Sequence, residues 1–231
     1  MPCINKPTTA LAPIGALFIG LLTLGGAGKA AADTPELEAP RPFEASYRLE
    51  VRGWPGATVR HTLAQEGLHW LSSMRFSVAV AKGEERSRFA LEDDQTRSLY
   101  YSSSYSLFGI GDSYQLDENE LSALDRQAAL FDLSRRAGHE QCTESAPCDI
   151  VFLDHRGRDE QFQYYTNPTT TVTTPAGRFE SKSVTLQDVE KPDRHLEISF
   201  HPEWPGLLLS AEYFKDGRRD TTITLTQFNP G

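Results

Sequence analysis

Six histidines and a spaced pair of cysteines are the side chains best able to do chemistry in this chain. His61, His69, His139, His155, His195 and His201 fall in no H-E-x-x-H pattern and no other metal-ligand spacing. His195, Glu197, Ser199, His201 and Glu203 do alternate with Leu196, Ile198 and Phe200, so they share one face of a strand. Such a row could be the acid–base or metal site of a hydrolase, or a plain solvated face. His61 is in phase with Val59 and Leu63, which marks a core histidine or a polar group in a cavity wall. No G-x-S-x-G elbow presents a nucleophilic serine, and Gly109-Ile-Gly111 lacks the third glycine and the lysine of a phosphate loop. Asp93-Asp94 and Asp159-Glu160 are acidic pairs in a chain with 32 acidic residues, so glycoside hydrolysis rests on composition alone. No motif calls for a cofactor, and none declares an enzyme.

Cys142 and Cys148 enclose Thr-Glu-Ser-Ala-Pro. An even pair in an exported chain predicts a disulfide. A zinc site would need more ligands than His139 supplies, and free thiols are the remaining alternative. Closing so short a loop contributes roughly 2 kcal/mol in the chain-entropy model, so the bridge trims a loop rather than holding the fold.

Export is itself an expectation from the first residues. Met1 to Lys6 is a short basic start, residues 10–28 are an apolar run, and Ala30-Ala31-Ala32 supplies the small residues of a cleavage site before Asp33. Residues 1–32 therefore read as a cleavable signal peptide, with an uncleaved anchor helix as the alternative. No cysteine stands at the cleavage point, and Cys3 leaves with the signal, which argues against a lipid anchor. The expectation is a periplasmic protein with no transmembrane span after cleavage. Residues 33–41 read as a linker, 42–228 as one domain and 229–231 as a tail.

A chain of 231 residues, 39% hydrophobic and 10% aromatic, has enough apolar side chains for one real core. That composition excludes intrinsic disorder, and a mean hydropathy of −0.45 excludes a multi-span helical membrane protein. A formal charge of −9 argues against nucleic acid, which needs clustered Lys and Arg.

The elements that must position these side chains are mostly strands. Phe43, Ala45, Tyr47, Leu49 and Val51 alternate with Glu44, Ser46, Arg48, Glu50 and Arg52, one dry face and one wet. The same period recurs from Val59 to Leu63, from Trp70 to Val80, and in short segments from Ile150 to Phe228. Among these are Phe162 to Tyr165 and Thr170 to Thr174, read as separate strands. Turn chemistry punctuates them, most strongly at Asp216-Gly217. Short connections predict an antiparallel meander.

One helix interrupts it. Ser122 followed by Asp125 resembles a capping box, Arg135 and Arg136 suit a last turn, and Gly138 suits the residue after it. Leu121, Leu124, Ala128 and Phe131 fall on one face, and Leu130, Leu133 and Ala137 on nearly the opposite one. A helix apolar on two sides is covered on both. The predicted fold is mainly β: a curved antiparallel sheet, or incomplete β-barrel, wrapping one central α-helix. A helix plugging one barrel end would use much the same residues. An outer-membrane barrel also alternates, but uneven strands and a capped helix argue against it.

Aromatics with hydroxyls cluster at Tyr100, Tyr101, Tyr105, Phe108 and Tyr114, and again at Phe162, Tyr164 and Tyr165. They suit a β core with tyrosine rims, or an apolar pocket with polar handles. Leu124, Ala128 and Phe131, with His61, Tyr105 and Tyr164, are the candidate lining of such a cavity.

Several segments in order carry a resemblance: Pro42-Phe-Glu-Ala-Ser-Tyr-Arg-Leu49, Trp70-Leu-Ser-Ser73, Glu85-Arg-Ser-Arg-Phe89, Leu124-Asp-Arg-Gln-Ala-Ala-Leu130 running to Gly138, and Thr174-Pro-Ala-Gly-Arg-Phe179. In this order the chain resembles the exported bacterial family known as domain of unknown function 3108. The likeness spans nearly all of residues 42–228, and the Cys142–Cys148 loop and Glu203-Trp-Pro-Gly206 depart from it. It implies no activity; its look is similar to the incomplete barrels of envelope lipoprotein carriers, which is an analogy of fold. The sequence thus predicts a non-catalytic periplasmic binding module. Its partner would be a lipid or other apolar ligand, or an envelope protein. The alternatives are an envelope hydrolase near His195–Glu203 and a purely structural interaction module.

Overall fold

The computed structural model describes residues 37–231; residues 1–32, read as a signal peptide, and 33–36, read as the start of a linker, lie outside them. In chain order the elements are β1 (Phe43–Val51), β2 (Ala57–Glu66), β3 (His69–Val78), β4 (Ala81–Glu92), β5 (Gln95–Leu107), β6 (Ile110–Asp117), β7 (Leu124–Asp125), α1 (Arg126–Arg136), β8 (Cys148–Leu153), β9 (Asp159–Thr174), β10 (Gly177–Asp188), β11 (Arg194–Phe200), β12 (Leu208–Lys215) and β13 (Arg218–Pro230). All strands join one 13-stranded sheet in the order β6-β5-β4-β3-β2-β1-β13-β12-β11-β10-β9-β8-β7. The meander is antiparallel throughout, except where β7 pairs parallel to β8.

Alternation fixes which face is dry. Phe43, Ala45 and Tyr47 are buried while Glu44 and Arg48 are exposed, and the neighbouring strand repeats this with Val59, His61 and Leu63. The outer face carries ion pairs such as Arg48–Glu50 and Arg86–Glu84, unsuited to a lipid-facing band. Residues 229–230, which read as a tail, lie inside β13, where Pro230 pairs with Phe43. Phe162 to Tyr165 and Thr170 to Thr174 belong to one strand, β9, which continues through Asn167-Pro168 with a shift of register against Ser181–Ser183 of β10.

The helix begins three residues later than its sequence suggests. Asp125, not Ser122, is the N-cap; its carboxylate accepts from the backbone N–H groups of Gln127 and Ala128. Leu124 consequently belongs to β7. Gly138, at φ +86°, follows the helix end as its sequence position implies. Among the described residues no helix is long and apolar enough to cross a membrane.

The sheet's two edges, β6 and β7, are consecutive in the chain, so a short connection holds them near each other. Side chains close the break that backbone pairing leaves. Ser87 and Ser98 of β4 and β5 both donate to Asp125 at 2.7 Å. Ser103 of β5 donates to the backbone oxygen of His155, in the turn after β8, at 2.8 Å. A Cβ on Gly157, in the same turn, would stand 2.9 Å from the Leu116 side chain of β6.

Candidate functional site

Antiparallel order puts alternate turns at opposite ends of the sheet. The β2–β3, β4–β5, β9–β10 and β11–β12 connections share one end, and the C-terminal half of α1 is tied there. Arg135 reaches Asp94 at 2.9 Å and the Glu38 carbonyl at 3.0 Å, and the Gly206 N–H donates to Ser134 Oγ at 2.7 Å. That end is filled. Phe131 lies with its ring centroid 4.7 Å from Phe89, 2% exposed, and a Cβ on Gly206 would come within 3.2 Å of it.

Toward the other end the interior holds a cavity of about 650 Å³. Its walls are the inward apolar residues of the sheet, among them Val59, Phe76, Phe162, Ile198, Ala211 and Ile223, with Ala129, Leu130 and Leu133 of the helix. The volume lies within the range of small-ligand sites, about 300–1,000 Å³.

Polar groups gather where the cavity reaches the β3–β4, β5–β6 and β8–β9 turns. Arg126 donates from Nε to Glu85 at 2.7 Å and from its Nη2 to the second carboxylate oxygen, while Tyr101 OH donates to Glu85 at 3.1 Å. Burial pulls the Arg126 pKa down, opposed by Glu160 and Asp154. Glu160 is half-buried in the cavity wall; burial, then the nearby Asp154, raises its pKa. Asp154 itself is held at about 2: burial pushes it up, but Arg158 and the backbone N–H groups of Arg158 and Arg156 outweigh that. His155 stands edge-on to Tyr105 and Tyr114, its pKa lowered by burial and by Arg126.

Under the helix a buried polar chain runs from His61 Nε2 to Ser72 Oγ at 3.0 Å and from Ser72 to Gln127 Oε1 at 2.9 Å. The Ser72 proton goes to Gln127, so the chain assigns the proton of His61 to Nε2, which leaves Nδ1 without a partner. Burial pushes His61 down to about 3, so the ring is neutral.

These positions differ from the sequence reading in one consistent way. Tyr105 does reach the cavity mouth. Ala128 and Phe131 instead face the filled side, because Asp125 fastens the start of α1 to β4 and β5 and turns Leu130 and Leu133 into the cavity. Leu124 is in the edge strand, His61 lies in the polar chain, and Tyr164 donates to Glu140 beside the cysteines. Cys142 and Cys148 are bridged, so no thiolate is left to join Glu140 as a metal ligand.

The His195–Glu203 row assembles no reactive group. Leu196 and Ile198 line the cavity, so His195 and Glu197 face outward; His195 stacks on Phe214 at 4.6 Å and stands 3.7 Å from Glu197. His201 lies past the strand's end, between Phe179 and Phe228. At the mouth Ser103 bonds the backbone, not the ring, of His155, so no serine–histidine couple forms there. Arg126, Glu85 and Glu160 were missed by sequence reasoning. For Glu85 and Glu160 the signal was a charge in phase with the buried residues of its strand, Phe89 in β4 and Phe162 in β9; Arg126, the first residue of α1, carried none.

No family model matches the chain, and no curated protein does. Among solved structures it is similar to a β-barrel-like protein of domain of unknown function DUF1849 from Brucella abortus. The TM-score is 0.53 at 9% identity, over 83% of this chain and 98% of that one. The two share the β-barrel-like fold. Weaker matches include MucB in its complex with MucA from Pseudomonas aeruginosa, with a TM-score of 0.42 at 14% identity over 83% of this chain and 52% of that one. The chain thus spans about half the length of that protein. An exported protein with a YmcC-like fold from Bacteroides fragilis matches with a TM-score of 0.43 at 10% identity over 84% of this chain and 99% of that one. The resemblance to the family of domain of unknown function 3108 is not matched by a family model; its motifs are short, and the fold kind is what stands.

Proposed function

We propose that this chain is an exported cell-envelope protein that binds one apolar or amphipathic molecule in the cavity, without catalysis. The observation that carries the reading is the cavity itself: about 650 Å³, apolar in its depth, with Arg126, Glu85 and Glu160 gathered at one end. That division suits a molecule with an acyl tail and a polar head. A methylene fills much the same space as a water molecule in liquid, about 30 Å³, so the cavity has room for one chain of ordinary length rather than several. The disulfide favours an oxidising compartment, and the signal-like start favours the periplasm. The ordered motifs support placing the chain near the domain of unknown function 3108 family.

Uptake of an environment-sensitive fluorescent fatty acid tests this reading. The protein should bind it at one site per chain, with competition by unlabelled fatty acid. Fluorescence that stays at its value in buffer would contradict it.

A further inference from the structure

The turns β1–β2, β3–β4, β5–β6, β8–β9, β10–β11 and β12–β13 share the end where the cavity carries its polar groups. The large apolar side chains left exposed concentrate there. Trp54 is in the β1–β2 turn, Leu107, Phe108 and Ile110 form the β5–β6 tip, and Val189 is in the β10–β11 turn. Val151 of β8 pairs with Gln161, whose carbonyl accepts from the Val189 N–H, so it lies toward the same end; away from it, Leu68 is the exposed large aliphatic among the described residues. Phe108 is 72% exposed and Ile110 81%.

Phe108 also sits at φ +51°, ahead of Gly109 at φ +83°. Two residues with positive φ make the tight hairpin turn that asparagine and glycine fill at least cost. Among the described residues the other non-glycine positions with positive φ are Asp93, Asp94 and Asp216, whose short polar side chains tolerate it. A bulky aromatic at such a site is disfavoured by the backbone and by water alike. Neither cost is offset inside the fold, since the ring points to solvent.

The two ends differ in charge, and the filled end is the more acidic, with Arg41 and Arg178 as exposed cations there. Glu66, Glu92, Asp93, Asp94 and Glu118 are exposed at the filled end or beside it. The apolar end carries both signs, with Lys82, Arg156, Lys191 and Arg218 exposed among its acids. An anionic bilayer surface repels the first end and accepts the second.

We propose that the open end docks on a lipid bilayer, the Phe108–Ile110 hairpin tip entering the headgroup region and Trp54 lying at the interface. The cavity mouth then faces the lipid from which a ligand is taken or to which it is given. The docking rests on the exposed tips and not on the cavity being loaded, so the two readings fail separately.

The test is flotation with vesicles of phosphatidylethanolamine and phosphatidylglycerol, using the chain from Asp33 onward. The wild type should float, with a blue shift of tryptophan emission that Trp54→Phe removes. Phe108→Asn relieves the backbone and removes the apolar ring, so it should fold at least as well yet bind vesicles about tenfold or more weakly. Ile110→Ser should act in the same direction, and Leu68→Ser, at the far end, should leave binding unchanged. Wild-type protein that stays off vesicles, Phe108→Asn that floats like wild type, or an equal loss in Leu68→Ser would each overturn the proposal. Protein that takes up the fatty-acid probe but stays off vesicles loses the docking alone and leaves the tips as a protein-contact surface. Protein that does neither loses both readings.

Discussion

Ser98 and Asp125 exchange two hydrogen bonds: the Ser98 hydroxyl donates to the Asp125 carboxylate at 2.7 Å and accepts from the Asp125 backbone N–H at 2.9 Å. One lies in β5 and the other at the start of α1, on opposite sides of the break in the sheet. The same carboxylate takes the Ser87 hydroxyl and caps the helix. A single side chain therefore ties β4 and β5 across the break, starts the helix and sets which helical face turns inward.

Asp125→Ala should accordingly cost about 3 kcal/mol, the sum of a lost cap and two buried hydroxyls left unpaired. Ser98→Ala should cost less, about 2 kcal/mol, since the carboxylate keeps Ser87 and the helix N–H groups while the buried Asp125 N–H loses its acceptor. Urea unfolding measures both. An Asp125→Ala loss no larger than that of Ser98→Ala would show that the seam is held elsewhere.

The two apolar faces of the helix should respond unequally to truncation. Phe131→Ala opens a hole in filled core and should cost about 3–5 kcal/mol. Leu130→Ala borders space already empty, so its cost should be nearer to about 1 kcal/mol while fatty-acid uptake changes. Equal penalties would place both residues in one filled core.

The period-two pattern of β1 and β2 was legible because a half-buried strand writes its dry face into alternate residues, and Phe43, Ala45 and Tyr47 are buried as that pattern demands. Asp216-Gly217 was equally plain, with φ +51° and +67° at the two turn positions. The helix start was not, because Ser122 and Asp125 offer the same local chemistry. What decides between them is a contact with Ser87 and Ser98, distant in sequence. The choice of cavity face followed the same long-range contact, so Phe131 and Leu130 were exchanged in the sequence reading. The merging of two predicted strands into β9 was also hidden, since Asn167-Pro168 reads locally as a turn.

His61 makes stability depend on acid. Its folded pKa of about 3 lies below the ordinary value of 6.5, so the unfolded chain binds a proton that the folded chain refuses. Stability should therefore fall as pH drops below about 6.5, by about 2 kcal/mol at pH 5 from this group. His61→Gln keeps a donor for Ser72 and should flatten that part of the pH profile. A wild-type profile that coincides in slope with His61→Gln between pH 6.5 and 5 would remove the assignment.

The Cys142–Cys148 bridge spans a sequence separation of 6, so Cys142→Ser with Cys148→Ser should lower stability by about 2 kcal/mol. Neither cysteine lines the cavity, which should still take the fatty-acid probe. Collapse of the double variant at room temperature would show the bridge to be essential to the fold.

Native mass spectrometry of detergent-free protein from the periplasmic fraction tests the central claim most directly, with Ala211→Trp beside the wild type. Ala211 is in the cavity wall, and an indole there fills the space a ligand needs. The wild type should carry the added mass of one lipid-sized molecule per chain, and Ala211→Trp, still folded by circular dichroism, should fly bare. Bare wild-type chains that also refuse added fatty acid, or an adduct retained by Ala211→Trp, would contradict a carrier that holds its ligand in this cavity.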